Sequence, residues 1–346
     1  MDCEQLLIDT AVAARLKEGR AGVERVLAAV YNTPGMTSRE LAAHCRLPTP
    51  TVSAVRKEMI KAGLLIAGST GAHLSALGQQ IVHIYALHLT LAEHGASAYG
   101  RFARHALFPL LVEQMRGLLA ERPSADTTLD QAKCLPETVA ARALLALEYG
   151  VLAGRRIALI GDDDFTSIGL AVLGSLVQRE GAQGPTLITV LDIDQRVLAG
   201  IKRLADQLGF TIQTLHHDLR YPIPQDLLRT HHAFFTDPPY TIPGAALFVA
   251  RGLEMCKAGC IVFLSFANKG PYEMLAVQQD LLRKKLLIRE IFPGFNRYEG
   301  GSLWGNQTQM LVCECVELTA FCSEPYTGFM YTADFRKSRP LVGGDS

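Results

Sequence analysis

The 346-residue chain lacks a net charge, with 34 Lys and Arg against 34 Asp and Glu. A balanced surface offers no general attraction to nucleic acid or anionic membrane, so any site for a polyanion or a polycation must be built locally. Long apolar runs are also missing. No uninterrupted stretch approaches the roughly 20 residues that span a bilayer, and the opening "MDCEQLLIDTAVAARLKEG" lacks the basic, apolar and small-residue order of a secretion signal. The expectation is a soluble, cytoplasmic protein with no membrane partner. The eight cysteines (3, 45, 134, 256, 260, 313, 315 and 322) are scattered instead of forming a dense framework, which predicts reduced thiols. No CxxC spacing occurs and no His follows at zinc-finger spacing, so no metal site is expected. Cys313 and Cys315 alternate as two residues on one face of a strand do, and read as small core side chains.

The length suffices for two domains, each with its own core. Residues 22–66 carry three helical patterns: one over Val23 to Tyr31, a second in "SRELAAHC" capped by Thr37 or Ser38, and a third in "TPTVSAVRKEMIKAGLL" stopped by Gly63. With "LIAGSTGAHLSALGQQIV" as wing and following helix, this region is similar to a winged helix-turn-helix. Arg56, Lys57 and Lys61 on the third helix are few for neutralising phosphates, and the wing "AGSTGAH" has no Lys or Arg. A packing or dimerisation module is therefore favoured over DNA binding, with a homodimer expected and nucleic acid not expected as a partner. Residues 80–125 read as a helical connection. The polar segment at 121–137, "ERPSADTTLDQAKCLPE", marks a boundary, and "ETVAARALLALEYGVL" resumes helical spacing.

From Arg156 onward the period changes. "RRIALIG", "TLITVLDID", "TIQTLHHD", "HHAFFTDPPY", "CIVFLSF", "LIREIFPGF" and "TQMLVCECVEL" are short apolar runs, the early ones separated by helical stretches. The expected fold class is α/β: an N-terminal winged helix-turn-helix domain plus a class I methyltransferase-like, Rossmann-like doubly wound sheet with antiparallel last strands. The expected domains are 1–125 (winged helix and helical connection), 126–325 (catalytic sheet) and 326–346 (flexible tail).

In such a sheet, ligands sit at the carboxyl ends of the strands. Four of these ends are unusually polar here: Gly161-Asp162-Asp163-Asp164, then Asp192 and Asp194, then His216, His217 and Asp218, then Asp237 in "DPPY". Asp192 suits a ribose diol, with a helix N-cap as the structural alternative that Asp194 fills more naturally; Asp218 suits an adenine edge, or is a turn acid. In "DPPY" the two prolines stiffen the loop, while Asp237 and Tyr240 can grip and orient a nucleophilic amine. This loop resembles that of class I S-adenosylmethionine-dependent transferases acting on exocyclic amines. Their first loop is usually glycine-rich and tolerates the methionine carboxylate, which three aspartates would repel. The acids would instead attract a donor ending in a bare ammonium, decarboxylated S-adenosylmethionine, or a polyamine acceptor; the alternative for them is capping of the following helix.

Together, "LDQ...LPETVAARALL", "IGDDDFTSIGLA", "VLDIDQRVL", "DPPYT" and "FNRYEGGS" resemble the branched-chain polyamine synthase family. The resemblance spans both domains and implies an aminopropyltransferase. Two aminopropyl groups would pass from decarboxylated S-adenosylmethionine, a co-substrate and not a tightly bound cofactor, to the secondary amine of spermidine, giving N(4)-aminopropylspermidine and N(4)-bis(aminopropyl)spermidine with release of 5'-methylthioadenosine. It implies Asp163 as general base, with Asp237 and Tyr240 orienting the acceptor. Gly161, Asp162, Asp164, Asp192 and Asp218 would hold the donor, and Asp162, Glu137, Tyr298 and Glu299 the polyamine. The chain departs from the family pattern at Cys134 and Leu135, where a more polar, threonine-containing turn is expected. Two other readings stay open: an S-adenosylmethionine-dependent amino-methyltransferase acting on DNA or RNA, and a transcriptional regulator that uses the sheet as a nucleoside sensor.

Overall fold

The computed structural model describes residues 2–16, 18–45, 47, 49–66, 71–89, 98–267, 269–299, 307–321 and 323–337. They fall into two compact units. One comprises Met1–Gly95, Leu144–Gly154 and Leu173–Gly184; the other comprises Ala96–Ala143, Arg155–Val172 and Pro185–Ser346.

The first unit contains α1 (Cys3–Ala13), α2 (Gly19–Asn32), α3 (Ser38–Cys45), α4 (Thr49–Lys61) and α5 (Ala76–Ile84). Helix α2 buries Val23, Val26, Leu27 and Val30, the spacing of one helical face, and α4 buries Val52, Val55 and Met59. Thr37 caps α3 in a reciprocal box: its hydroxyl accepts from the Glu40 amide at 3.2 Å and the Glu40 carboxylate accepts from the Thr37 amide at 2.7 Å. Bridges Met36↔Ala72 and Leu65↔Leu74 form the stem of the wing. The wing residues 67–70 lie outside the described residues. Helix α1 has no counterpart in the sequence reading. It buries only Leu7, Thr10 and Ala11, a stripe too narrow to stand out by periodicity, and is started by Asp2, whose carboxylate accepts from the Glu4 and Gln5 amides.

The second unit is built on a seven-stranded sheet. Its strands are β1 (Arg156–Ile160), β2 (Leu187–Asp192), β3 (Ile212–His216), β4 (His231–Thr236), β5 (Cys256–Phe266), β6 (Leu286–Arg297) and β7 (Gln307–Cys315), in the order β3-β2-β1-β4-β5-β7-β6. Strands β1 to β5 run parallel, and β7 lies antiparallel between β5 and β6. Each apolar run read from the sequence is one of these strands. Helices α6 (Ala98–Ala103) and α7 (Phe108–Leu119) belong to it; α8 (Pro136–Glu148) and α9 (Thr166–Arg179) begin in it and continue into the first unit after Ala143 and Val172; and α10 (Gln195–Leu208), α11 (Ile242–Met255), α12 (Pro271–Arg283) and α13 (Thr332–Lys337) belong to it.

Ile160 at the end of β1 is in register with both Leu191 of β2 and Thr236 of β4. Strand order reverses there: from β1 the chain moves to β2 on one side, while β4 occupies the other. Such a reversal opens a crevice at the carboxyl ends of the strands. It sets the acidic loop after β1 beside the Asp237 loop after β4. Part of the expected tail, 326–337, docks on this unit: the Tyr326 amide donates to the Arg220 carbonyl, the Thr241 hydroxyl to the Met330 carbonyl, and the Thr332 amide to Asp130. Residues 338–346 lie outside the described residues.

Candidate active site

The chain leaves β1 through Gly161, which adopts the left-handed conformation (φ +74°) and donates its amide to the Leu191 carbonyl at 2.8 Å. The three aspartates that follow have different neighbours. Asp162 accepts from the Thr166 and Ser167 amides at 2.7 and 3.1 Å and so caps α9. Asp164 accepts from the Cys134 amide at 2.7 Å and from Arg142 Nη1 at 2.9 Å, with Arg122 at 3.8 Å. Asp163 takes the Ala132 amide at 3.2 Å as its hydrogen-bond donor, with no cation in an ion pair among the described residues.

The Asp237 carboxylate accepts three side-chain hydrogen bonds. Arg142 Nη2 donates to it at 2.8 Å, the Tyr298 hydroxyl at 2.5 Å and the Tyr240 hydroxyl at 2.9 Å. Behind it, Asn296 accepts from Arg142 Nε at 2.9 Å and donates to Ser265 and Thr308, and Ser265 shares a hydrogen bond with the Tyr298 hydroxyl at 2.9 Å. Arg142, Asn296, Tyr298, Ser265 and Thr308 are buried and Asp237 and Tyr240 half-buried, so the partnered network is held on a packed base. Asp162, Asp163, Asp164 and Asp237 line one small cavity with Gly161, Arg142, Thr166, Phe235 and Met310.

Burial pushes Asp163 well above the usual carboxylate range, and the charges of Asp164, Asp237, Asp192 and Asp162 push it further. Burial also raises Asp162, to about 8, against the helix amides that favour its anion. Asp164 is raised by burial and opposed by Arg142. Burial holds the Tyr240 and Tyr298 hydroxyls in their protonated, donating form.

Asp192 sits behind the loop, accepting from the Asp162 and Asp194 amides at 2.9 and 2.8 Å, while Asp194 is the N-cap of α10. Asp192, Tyr240 and Tyr298 do not line this cavity but bond to residues that do, and three further expected residues neither line it nor bond to its four aspartates. Asp218 accepts from the Arg220 amide and side chain in a tight turn; burial raises it, but Arg220 holds it below its ordinary value. Glu137 pairs with Arg116 at 3.3 Å, and Glu299 is exposed, its amide donating to the Lys133 carbonyl. Continuing "FNRYEGGS", residues 300–302 lie outside the described residues.

The sequence reading missed Arg142, Arg122 and Asn296. Arg142 had one visible signal: it is the one cation in the helix "PETVAARALLALE", on a face buried all round. Cys134 contributes its backbone amide, which explains why the departure from a polar turn leaves the contact to Asp164 intact.

Residues 110–334 match the family described as branched-chain polyamine synthase A C-terminal domain, and residues 25–73 match the MarR family. An N(4)-bis(aminopropyl)spermidine synthase from Thermococcus kodakarensis is 30% identical over 263 residues, 75% of this chain and 72% of that protein. An uncharacterized protein from Methanocaldococcus jannaschii is 34% identical over 305 residues, 88% of this chain and 76% of that protein. The fold is shared with the crystal structure of the branched-chain polyamine synthase from Thermus thermophilus in complex with N4-aminopropylspermidine and 5'-methylthioadenosine. That likeness has 23% identity and a TM-score of 0.58, and covers 96% of this chain and 98% of the other. The family match runs from α7 to α13 and so takes in the acidic loop, the Asp237 loop and the whole sheet; this chain belongs to the branched-chain polyamine synthase family.

Proposed function

We propose that the protein transfers aminopropyl groups from decarboxylated S-adenosylmethionine to the secondary amine of spermidine. The products are N(4)-aminopropylspermidine, then N(4)-bis(aminopropyl)spermidine, and one 5'-methylthioadenosine per cycle. The observation that carries the reading is Asp163: a cavity-lining carboxylate with no cation in an ion pair among the described residues, raised in proton affinity, among acids bonded to the scaffold. An acceptor ammonium has no lone pair until a base removes its proton. In each cycle that proton passes to Asp163. The freed nitrogen then attacks the methylene carbon beside the sulfonium, the C–N bond forms, and the C–S electrons stay on the departing thioether. Asp237, held by Arg142, Tyr240 and Tyr298, orients the nitrogen by fixed geometry. Asp162 and Asp164 shape the loop through their bonds to the α9 amides and to Cys134 and Arg142. Asp192 takes the nucleoside; Asp218, Glu137 and Glu299 act at the outer ends of donor and polyamine.

Residues 126–325 are proposed as the catalytic domain and 1–125 as a winged-helix and connecting region that supports a homodimer in the cytoplasm. On α4, Arg56 donates to Ser38 at 2.7 Å and Lys61 pairs with Glu58 at 2.7 Å, which supports a packing role over phosphate contact. Among the described residues, no helix is long and apolar enough to cross a membrane. The test is direct: purified protein with spermidine should release 5'-methylthioadenosine from decarboxylated S-adenosylmethionine and leave intact S-adenosylmethionine unused. Asp163→Asn should keep 5'-methylthioadenosine binding and lose about 10²- to 10⁴-fold in kcat. Methyl transfer to a nucleic acid from the intact cofactor would replace this reading with the methyltransferase one.

A further inference from the structure

Four carboxylates line the cavity, and one guanidinium reaches two of them. Arg142 Nη1 donates to Asp164 at 2.9 Å and Nη2 to Asp237 at 2.8 Å, while Nε and Nη1 are fixed by Asn296 and Thr166 at 2.9 and 3.1 Å. The planar fork therefore ties the loop after β1 to the loop after β4. A lysine, a single point charge, cannot reproduce that geometry. We infer that Arg142 is a positioning residue that holds Asp164 and Asp237 in place and balances their charge, and thereby leaves Asp163 as the cavity-lining carboxylate that accepts the substrate's proton.

Arg142 is the cation that Asp164 and Asp237 share, with Arg122 3.8 Å from Asp164 as a further one; without Arg142 the close carboxylates repel and the cluster binds a proton more readily. The titratable and charged groups around Arg142 and its partners are Asp163 and Asp164 after β1, Asp237 with Tyr240 after β4, Tyr298 at the end of β6, Cys134 ahead of α8, and Arg122 after α7, 3.8 Å from Asp164. Burial raises Cys134, Tyr240 and Tyr298, which keeps them neutral. The extra proton then falls within the carboxylate cluster that Arg142 no longer neutralises.

The kinetic part of this inference rests on the aminopropyl reading, and the test separates the two. Aspartate-carboxyl NMR titrations of the free enzyme should show that Arg142→Met adds one raised carboxyl titration to those of wild type, and that Arg142→Lys adds none. With decarboxylated S-adenosylmethionine and spermidine, Arg142→Met should steepen the acid limb of log kcat/KM from a slope of about one to about two and move it up by about one pH unit. Arg142→Lys should keep the wild-type limb and lose about tenfold in kcat, with KM little changed. If Arg142→Met does not fold, the charge-balanced Arg142→Met, Asp164→Asn pair should fold and show no added titration. Absence of any turnover in wild type would remove the aminopropyl reading, and the carboxyl titrations would still decide the role of Arg142. A folded Arg142→Met with no added titration and a wild-type acid limb, or a charge-balanced pair that still gains one, would overturn it.

Discussion

Asp162, Asp163 and Asp164 carry the same carboxylate, and their neighbours give each a different task. Asp162 faces helix amides and Asp164 faces Arg142, whereas Asp163 faces the cavity with a single backbone amide. A base works in its deprotonated form, and burial and four neighbouring acids raise Asp163. Activity should therefore rise with pH through that raised pKa and level off above it. Asp163→Glu, which keeps a carboxylate at a shifted position, should retain a pH-dependent limb at lower kcat, while Asp163→Asn should abolish the limb in whatever activity is left; rate profiles between pH 5 and 9 would check this. The triplet stood out in the sequence because three adjacent acids in place of glycines need a reason. Which acid does what was not legible, because the deciding partners, Ala132, Cys134 and Arg142, lie more than 20 residues away in the chain.

At the scale of elements, helix ends and close contacts carry the argument. Asp194 caps α10 and is held down to about 2 by its bonds with Arg196 against a smaller cost of burial. A carboxyl depressed in the folded state contributes stability above its unfolded value near 4, and loses it as pH falls from there towards about 2. Asp194→Ala should accordingly cost about 1 kcal/mol at pH 7 and almost nothing at pH 2, measured by urea unfolding. Helix α11 lies against β4 through Gly252, where a Cβ would sit 2.3 Å from the Phe234 ring. Gly252→Ala should destabilise by about 1 to 3 kcal/mol, read as a lower Tm. The strands were legible from their short apolar runs and the helices α2 to α4 from spacing and caps. Helix α1 was not, because its buried stripe is only Leu7, Thr10 and Ala11.

At the scale of the whole molecule, zero net charge conceals a local concentration of acid at the strand-order reversal. Acids raised in the folded state act oppositely to Asp194. Their protonated form is favoured by folding, so the free protein should lose stability as pH climbs from the unfolded carboxyl value near 4 towards the value of about 8 for Asp162. A bound polycation replaces those protons. Thermal unfolding should therefore give a Tm that falls between pH 5 and 8 without ligand, and spermidine should raise Tm more at pH 8 than at pH 5. Equal spermidine effects at both pH values would count against a polycation site at these acids.

The sequence by itself determined the sheet, the winged-helix region, the acidic and DPPY loops and the family, because periodicity, turn residues and motif order are properties of neighbouring residues. Only the tertiary structure decided which carboxylates are free. It brought Arg142 from α8, Asn296 and Tyr298 from the end of β6, and the amides ahead of α8 onto two loops that adjoin because strand order reverses between β1 and β4. Proton affinity in a buried cluster depends on partners within a few ångströms, and the spacing of residues along a chain does not encode that distance.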